Sequence, residues 1–97
     1  MNKQTVLTRL ANSIEEIRQR FAVSSLSIFG SIARDETTEN SDVDILVTFE
    51  QEATFDLFMD LKFYLEDLLE TPVDLVTDKA LRPQVRQAIK QEIINVT

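Results

Sequence analysis

Two short apolar runs, residues 26–29 and 45–49, bracket the segment Gly30-Ser31-Ile32-Ala33-Arg34-Asp35-Glu36-Thr37-Thr38-Glu39-Asn40-Ser41-Asp42-Val43-Asp44. Each run reads as a strand. A Gly-Ser pair therefore stands at one strand's end, and an Asp-x-Asp pair, ten residues on, stands at the start of the next. Gly30 is the only glycine in the chain. The arrangement sets a small, phosphate-sized turn opposite two aligned carboxylates.

From Asp42 to Phe49, the apolar residues Val43, Ile45, Val47 and Phe49 alternate with Asp42, Asp44, Leu46 and Thr48. A strand sends alternate side chains to opposite faces, so Asp42 and Asp44 share one face with α-carbons roughly 6.6 Å apart. Carboxylates that close repel unless a cation lies between them. Magnesium takes oxygen ligands and keeps room for water and substrate phosphates. Such a pair can anchor one ion, or part of a two-metal site with ions about 4 Å apart.

Gly30 permits close backbone approach and unusual dihedral angles. Ser31 is expected to open a short helix reaching Arg34, its hydroxyl and the free N–H groups of the helix start suiting a phosphate, with Arg34 adding a positive charge. A third carboxylate lies in the short apolar run Pro72-Val73-Asp74-Leu75-Val76. If that strand pairs beside the Asp-x-Asp strand, Asp74 joins the cluster as metal ligand, as general base for an attacking hydroxyl, or as both. The alternative is a solvent-facing acid on an edge strand. Arg34 is open between phosphate contact and ordinary surface charge.

The sequence resembles the nucleotidyltransferases of the DNA polymerase β-like superfamily, whose mark is Gly-Ser, a spacer, Asp-x-Asp and a later third acid. At this length it looks like the minimal nucleotidyltransferases (MNT), the antitoxin halves of HEPN/MNT toxin–antitoxin pairs, over nearly the whole chain. The resemblance implies that Gly30 and Ser31, with Arg34 nearby, hold the triphosphate of ATP. It further implies that Asp42 and Asp44 bind Mg2+, in two ions, and that Asp74 is the third catalytic and metal-binding acid. Such antitoxins resemble enzymes that transfer AMP to a tyrosine hydroxyl of the cognate HEPN ribonuclease toxin, with which they form a stable complex. One departure stands out: the family often continues Gly-Ser-x-Ala-Arg with glycine, and here that position is Asp35.

Ninety-seven residues suggest one small domain, residues 1–97, with a thin core. The formal charge of −7 and the pI of about 4.4 argue against direct nucleic-acid binding, which calls for a basic face. They suit a partner with a basic surface. With no cysteine and no histidine, disulfides, the usual zinc sites and histidine base chemistry are excluded. Catalysis is left to carboxylates, metal, lysine, arginine, Tyr64 or hydroxyls. No run is apolar for long enough to span a membrane and no signal peptide is visible, so a cytoplasmic location is expected.

The scaffold reads as helix, strand, short helix, strand, helix, strand, helix: an α/β fold with a small mixed β-sheet, acids on one face and helices on the other. The first helix is expected over residues 3–20, with Val6, Leu7, Leu10, Ala11, Ile14, Ile17 and Phe21 on its apolar face. The next long helix spans residues 55–69, capped by Thr54 and started by Asp56. Phe58, Leu61, Leu65, Leu68 and Leu69 form its core stripe, while Phe55, Leu57, Met59, Phe63 and Tyr64 leave apolar surface that suits a partner. The last helix follows Pro83, with Val85, Ala88, Ile89 and Ile93 as its stripe. Arg82, Arg86 and Lys90 line one side, either as a solvated face or as cations near a triphosphate.

Three functions compete. The first is transfer of AMP to a protein hydroxyl. The second is a non-catalytic antitoxin that occludes its toxin. The third, ranked lowest, is transfer to a small molecule as in aminoglycoside nucleotidyltransferases, whose extra acceptor-gripping domain this length does not accommodate.

Overall fold

The computed structural model describes residues 2–36 and 42–96. Half of the ten-residue spacer, residues 37–41, lies outside the described residues. Helix α1 (Lys3–Phe21) begins where the Asn2 side chain accepts a hydrogen bond from the Thr5 N–H at 2.9 Å. Val6, Leu10, Ile17 and Phe21 are buried, with Leu7 and Ile14 packed against them. Ala11, expected on that face, is exposed. Strand β1 (Val23–Phe29) follows and runs into α2 (Gly30–Ala33). The short helix thus begins one residue earlier than expected and leaves Arg34 as its C-cap.

Strand β2 (Val43–Phe49) buries Val43, Ile45 and Val47 on alternate positions, as its pattern predicts. Helix α3 (Phe55–Leu69) has the expected bounds, with Thr54 Oγ1 accepting from the Leu57 N–H at 3.1 Å. Its core stripe is Leu61, Leu65 and Leu69, with Phe58 and Leu68 partly buried. Arg9 of α1 donates to the Leu68 and Leu69 carbonyls, each at 3.4 Å, where a cation complements the negative end of α3. Strand β3 (Val73–Thr77) is tied to that helix by Glu66, which accepts from the Val73 N–H at 3.0 Å.

A 3-10 turn (Asp78–Ala80) leads to α4 (Pro83–Ile89), which is shorter than the sequence suggested. Within the expected stripe only Ile89 is buried; Val85 and Ala88 are exposed, and Ile93 lies beyond the helix. The chain turns instead into a strand not foreseen, β4 (Ile94–Asn95). The β-branched Ile93 and Ile94 suit a strand, and pairing with β1 satisfies backbone groups that a longer helix would otherwise bond internally. The sheet order is β3-β2-β1-β4. β2 and β3 run parallel, while β1 is antiparallel to both of its neighbours. α1 and α3 pack on each other and on this mixed sheet over Leu26, Ile28, Ile45 and Val47. Among the described residues no helix is long and apolar enough to cross a membrane.

Candidate active site

The open face of the sheet takes its chemistry from register. β2 and β3 place Asp44 directly beside Asp74, and β1 places Phe29, the residue before Gly30, beside Asp44. Two distant stretches of sequence therefore bring the Gly-Ser turn, the second acid of Asp-x-Asp and the third acid to one spot. Asp42 precedes β2 by one residue and is exposed, outside the ladder but close enough for its charge to act on Asp44.

Gly30 has φ +75°, in the left-handed region that glycine enters freely. A Cβ at this position would run into Asp44 Oδ2 and stand 2.9 Å from Asp44 Cγ. The single glycine of the chain therefore stands where the backbone must turn and where a carboxylate fills the space of a side chain. Ser31 follows as the second residue of α2, half-buried.

Burial, then the charge of Asp74 and a hydrogen bond with it, then the charge of Asp42 push the Asp44 carboxyl up from 3.8 to about 6. Arg34 opposes this weakly. Crowded carboxylates of this kind are hard oxygen donors whose repulsion a divalent cation relieves. Among the described residues no three Asp, Glu, His or Cys side chains converge as a preformed ion cage. Asp44 and Asp74 meet, while Asp42 sits at the rim because no ladder partner draws it in. That donor set still fits magnesium, which is usually held by one or two carboxylates plus substrate phosphates.

Arg34 is not a free surface charge. Its Nε donates to Glu36 at 2.9 Å and its Nη1 to Glu92 at 2.8 Å. Glu92 also accepts from the Gly30 N–H at 3.1 Å. The Arg34 guanidinium, helped by that N–H, holds the Glu92 carboxyl below its ordinary range. Sequence reasoning missed Glu92; its only signal was a lone acid before the apolar pair Ile93-Ile94. Arg86, from the cationic stripe, is engaged elsewhere: it donates to the Asp78 carbonyl at 2.7 Å and pairs with its carboxylate at 3.4 Å. With Lys90 it borders a groove of about 520 Å³ beside Leu81 and Pro83. Among the described residues no ion pair joins the stripe to Asp42, Asp44 or Asp74.

A larger groove, about 620 Å³, opens at the far end of β2. Phe49, Phe55 and Phe58 line it together with Glu50, Glu52 and Asp78. Its lining begins at Val47, three residues along β2 from Asp44, roughly 10 Å at strand rise.

The profile of the nucleotidyltransferase domain family matches residues 10–96. The chain belongs to that family. It is 42% identical over 82 residues to the protein adenylyltransferase MntA of Thermococcus cleftensis, covering 84% of this chain and 83% of that one. A structure solved as a candidate minimal nucleotidyltransferase superimposes with TM-score 0.82 at 35% identity, covering 97% of this chain and 95% of its own. An MNT antitoxin structure, solved in complex with the tri-AMPylated HEPN toxin of Shewanella oneidensis, shares the fold at TM-score 0.67 and 18% identity. That alignment covers 98% of this chain and 71% of the other. The fold expected from the residues, a small mixed sheet packed with helices, is that of these minimal nucleotidyltransferases.

Proposed function

We propose that this member of the nucleotidyltransferase family transfers AMP from ATP to a tyrosine hydroxyl of a partner HEPN ribonuclease toxin and so neutralises it. The observation that carries the reading is the packing of Asp44 against Gly30 with Asp74 directly across the ladder. The name of the Thermococcus relative and the AMPylated toxin in the Shewanella complex support the choice of AMP and of a protein acceptor.

In this reading Gly30, Ser31 and Arg34 hold the triphosphate. Asp42 and Asp44, with Asp74, hold magnesium, which supplies charge neutralisation for the departing pyrophosphate. Asp74 is exposed, so an acceptor hydroxyl can reach it. The hydroxyl oxygen bonds to the α-phosphorus as the bond from that phosphorus to the bridging oxygen of pyrophosphate breaks. The hydroxyl proton passes to the Asp74 carboxylate. The test is the intact mass of the partner toxin expressed with this chain and with its Asp42/Asp44→Asn variant. One or more added AMP units, lost with the variant, is the expected result. An unmodified toxin held in a tight, inactive complex would replace transfer by occlusion.

Occlusion has an observation of its own. Phe55 is 75% and Phe63 54% exposed on α3, and the acidic groove beside Phe55 suits a basic partner surface. If Asp44→Asn protects cells from the toxin at normal protein levels, contact is sufficient.

A further inference from the structure

Glu92 arrives from the far end of the chain, in the turn that closes α4, where its own N–H bonds to the Ile89 carbonyl at 3.0 Å. Two residues later β4 pairs with β1 through Ser27–Asn95 and Ile28–Ile94, and the Val96 N–H donates to the Leu26 carbonyl at 2.8 Å. The backbone around Glu92 is thus anchored on the same strand that delivers Gly30. Its carboxylate then divides between the two ends of α2. One oxygen accepts from the Gly30 N–H, and the other accepts from Arg34, which caps the helix. The side chain is only 18% exposed.

We infer that Glu92 is a positioning residue for the triphosphate, holding the Gly30 turn and the Arg34 guanidinium in the orientation that nucleotide binding needs. The inference rests on the proposed nucleotide site and adds a residue to it. Arginine carries five N–H donors. Glu36 and Glu92 engage Nε and one on Nη1, which leaves three, both on Nη2 among them. A guanidinium held at Nε and Nη1 loses little further rotamer freedom when its Nη2 meets an anion. The same clamp sets the direction of Gly30, whose path decides where Ser31 points. Glu92 therefore acts through Arg34 and Gly30 without touching the nucleotide.

The alternative geometry is a competitor: a carboxylate resting where a phosphate would bind, to be expelled by ATP. The two predict opposite signs. The experiment is calorimetric binding of the magnesium complex of AMP-PNP to wild type, Glu92→Gln, Arg34→Ala and the double variant, with thermal unfolding of each. Glu92→Gln keeps the shape and an acceptor for the Gly30 N–H but removes the charge opposite Arg34. Loss of a charge-assisted contact of this kind is expected to weaken binding about tenfold. The double variant is expected to bind no more weakly than Arg34→Ala alone, since Glu92 works through that side chain. Binding by Glu92→Gln as tight as or tighter than wild type overturns the inference, as do effects that multiply in the double variant. Arg34→Ala probes the pair from its other member should Glu92→Gln unfold. Wild-type protein that fails to bind the analogue overturns the nucleotide site itself and the inference with it. Wild-type binding unaffected by Glu92→Gln removes the inference alone.

Discussion

Asp44 and Asp74 are register partners across the parallel β2–β3 ladder and are joined by a hydrogen bond between their side chains. Burial and the neighbouring negative charge keep a proton on Asp44 up to about pH 6, against 3.8 unperturbed. Between those values the folded chain binds more protons than the unfolded one. The stability this contributes is present in full below about pH 3.8 and is lost as pH rises through about 6. Asp44→Asn removes the charge and keeps a hydrogen-bond donor. In metal-free protein it is expected to stabilise by about 1 kcal/mol at about pH 8, a value discounted for the partial exposure of the group. Below about pH 4 it is expected to change nothing. Thermal unfolding in chelator at both ends of this range checks the sign; a gain that is equal at both would show that repulsion is not the cause.

Gly30→Ala brings a Cβ against the Asp44 carboxylate and onto a φ of +75°. The backbone penalty is about 1–2 kcal/mol. Asp44 must also move, so the loss of AMP transfer is expected to exceed the loss of stability. Urea unfolding and a transfer assay on the same preparation separate the two. Full activity would mean that the position of Asp44 against Gly30 is immaterial to the chemistry.

Ala22, Asp35 and Glu70 also sit at positive φ, at 54°, 60° and 56°. Ala22 and Glu70 end α1 and α3 in the conformation that glycine supplies most easily. Asp35, the residue after the Arg34 cap of α2, stands where the resemblance led to glycine, and its φ gives a physical reason for that preference. Ala22→Gly and Asp35→Gly are each expected to stabilise by about 0.5–1 kcal/mol, Asp35→Gly less because aspartate tolerates this region. Urea midpoints read the effect. Destabilisation by either variant would place the strain elsewhere.

The two sides of α3 are expected to respond differently. Leu65→Ala opens a cavity in a fully buried position and should cost about 2–5 kcal/mol. Phe55→Ala, on a ring that is mostly exposed, should change stability by no more than about 0.5 kcal/mol yet weaken the proposed complex with a toxin. Pull-down and unfolding on both variants test this. A Phe55→Ala variant that binds its partner normally would remove this end of α3 from the interface.

Local pattern decided a good deal. The alternation in β2 set Asp44 and the core residues Val43, Ile45 and Val47 on opposite faces, because a strand has a period of two whatever surrounds it. Thr54 and the apolar spacing bounded α3, because capping and helical periodicity are both short-range. The lone Gly30 between two strands marked the turn, because few other residues adopt its backbone.

Pairing across the chain decided the rest. Whether Asp74 lay beside Asp44 depended on a parallel register between segments some thirty residues apart, which no local period encodes. It also decided that Asp42 stays at the rim. The end of α4 was misjudged because the apolar run at Ile93 fits a helix or a strand equally, and only the free edge of β1 chose β4. That choice carried Glu92 from the C-terminal segment to Gly30 and Arg34. Short-range sterics and solvation belong to the sequence itself, whereas contacts between distant residues exist only once the sheet has closed around them.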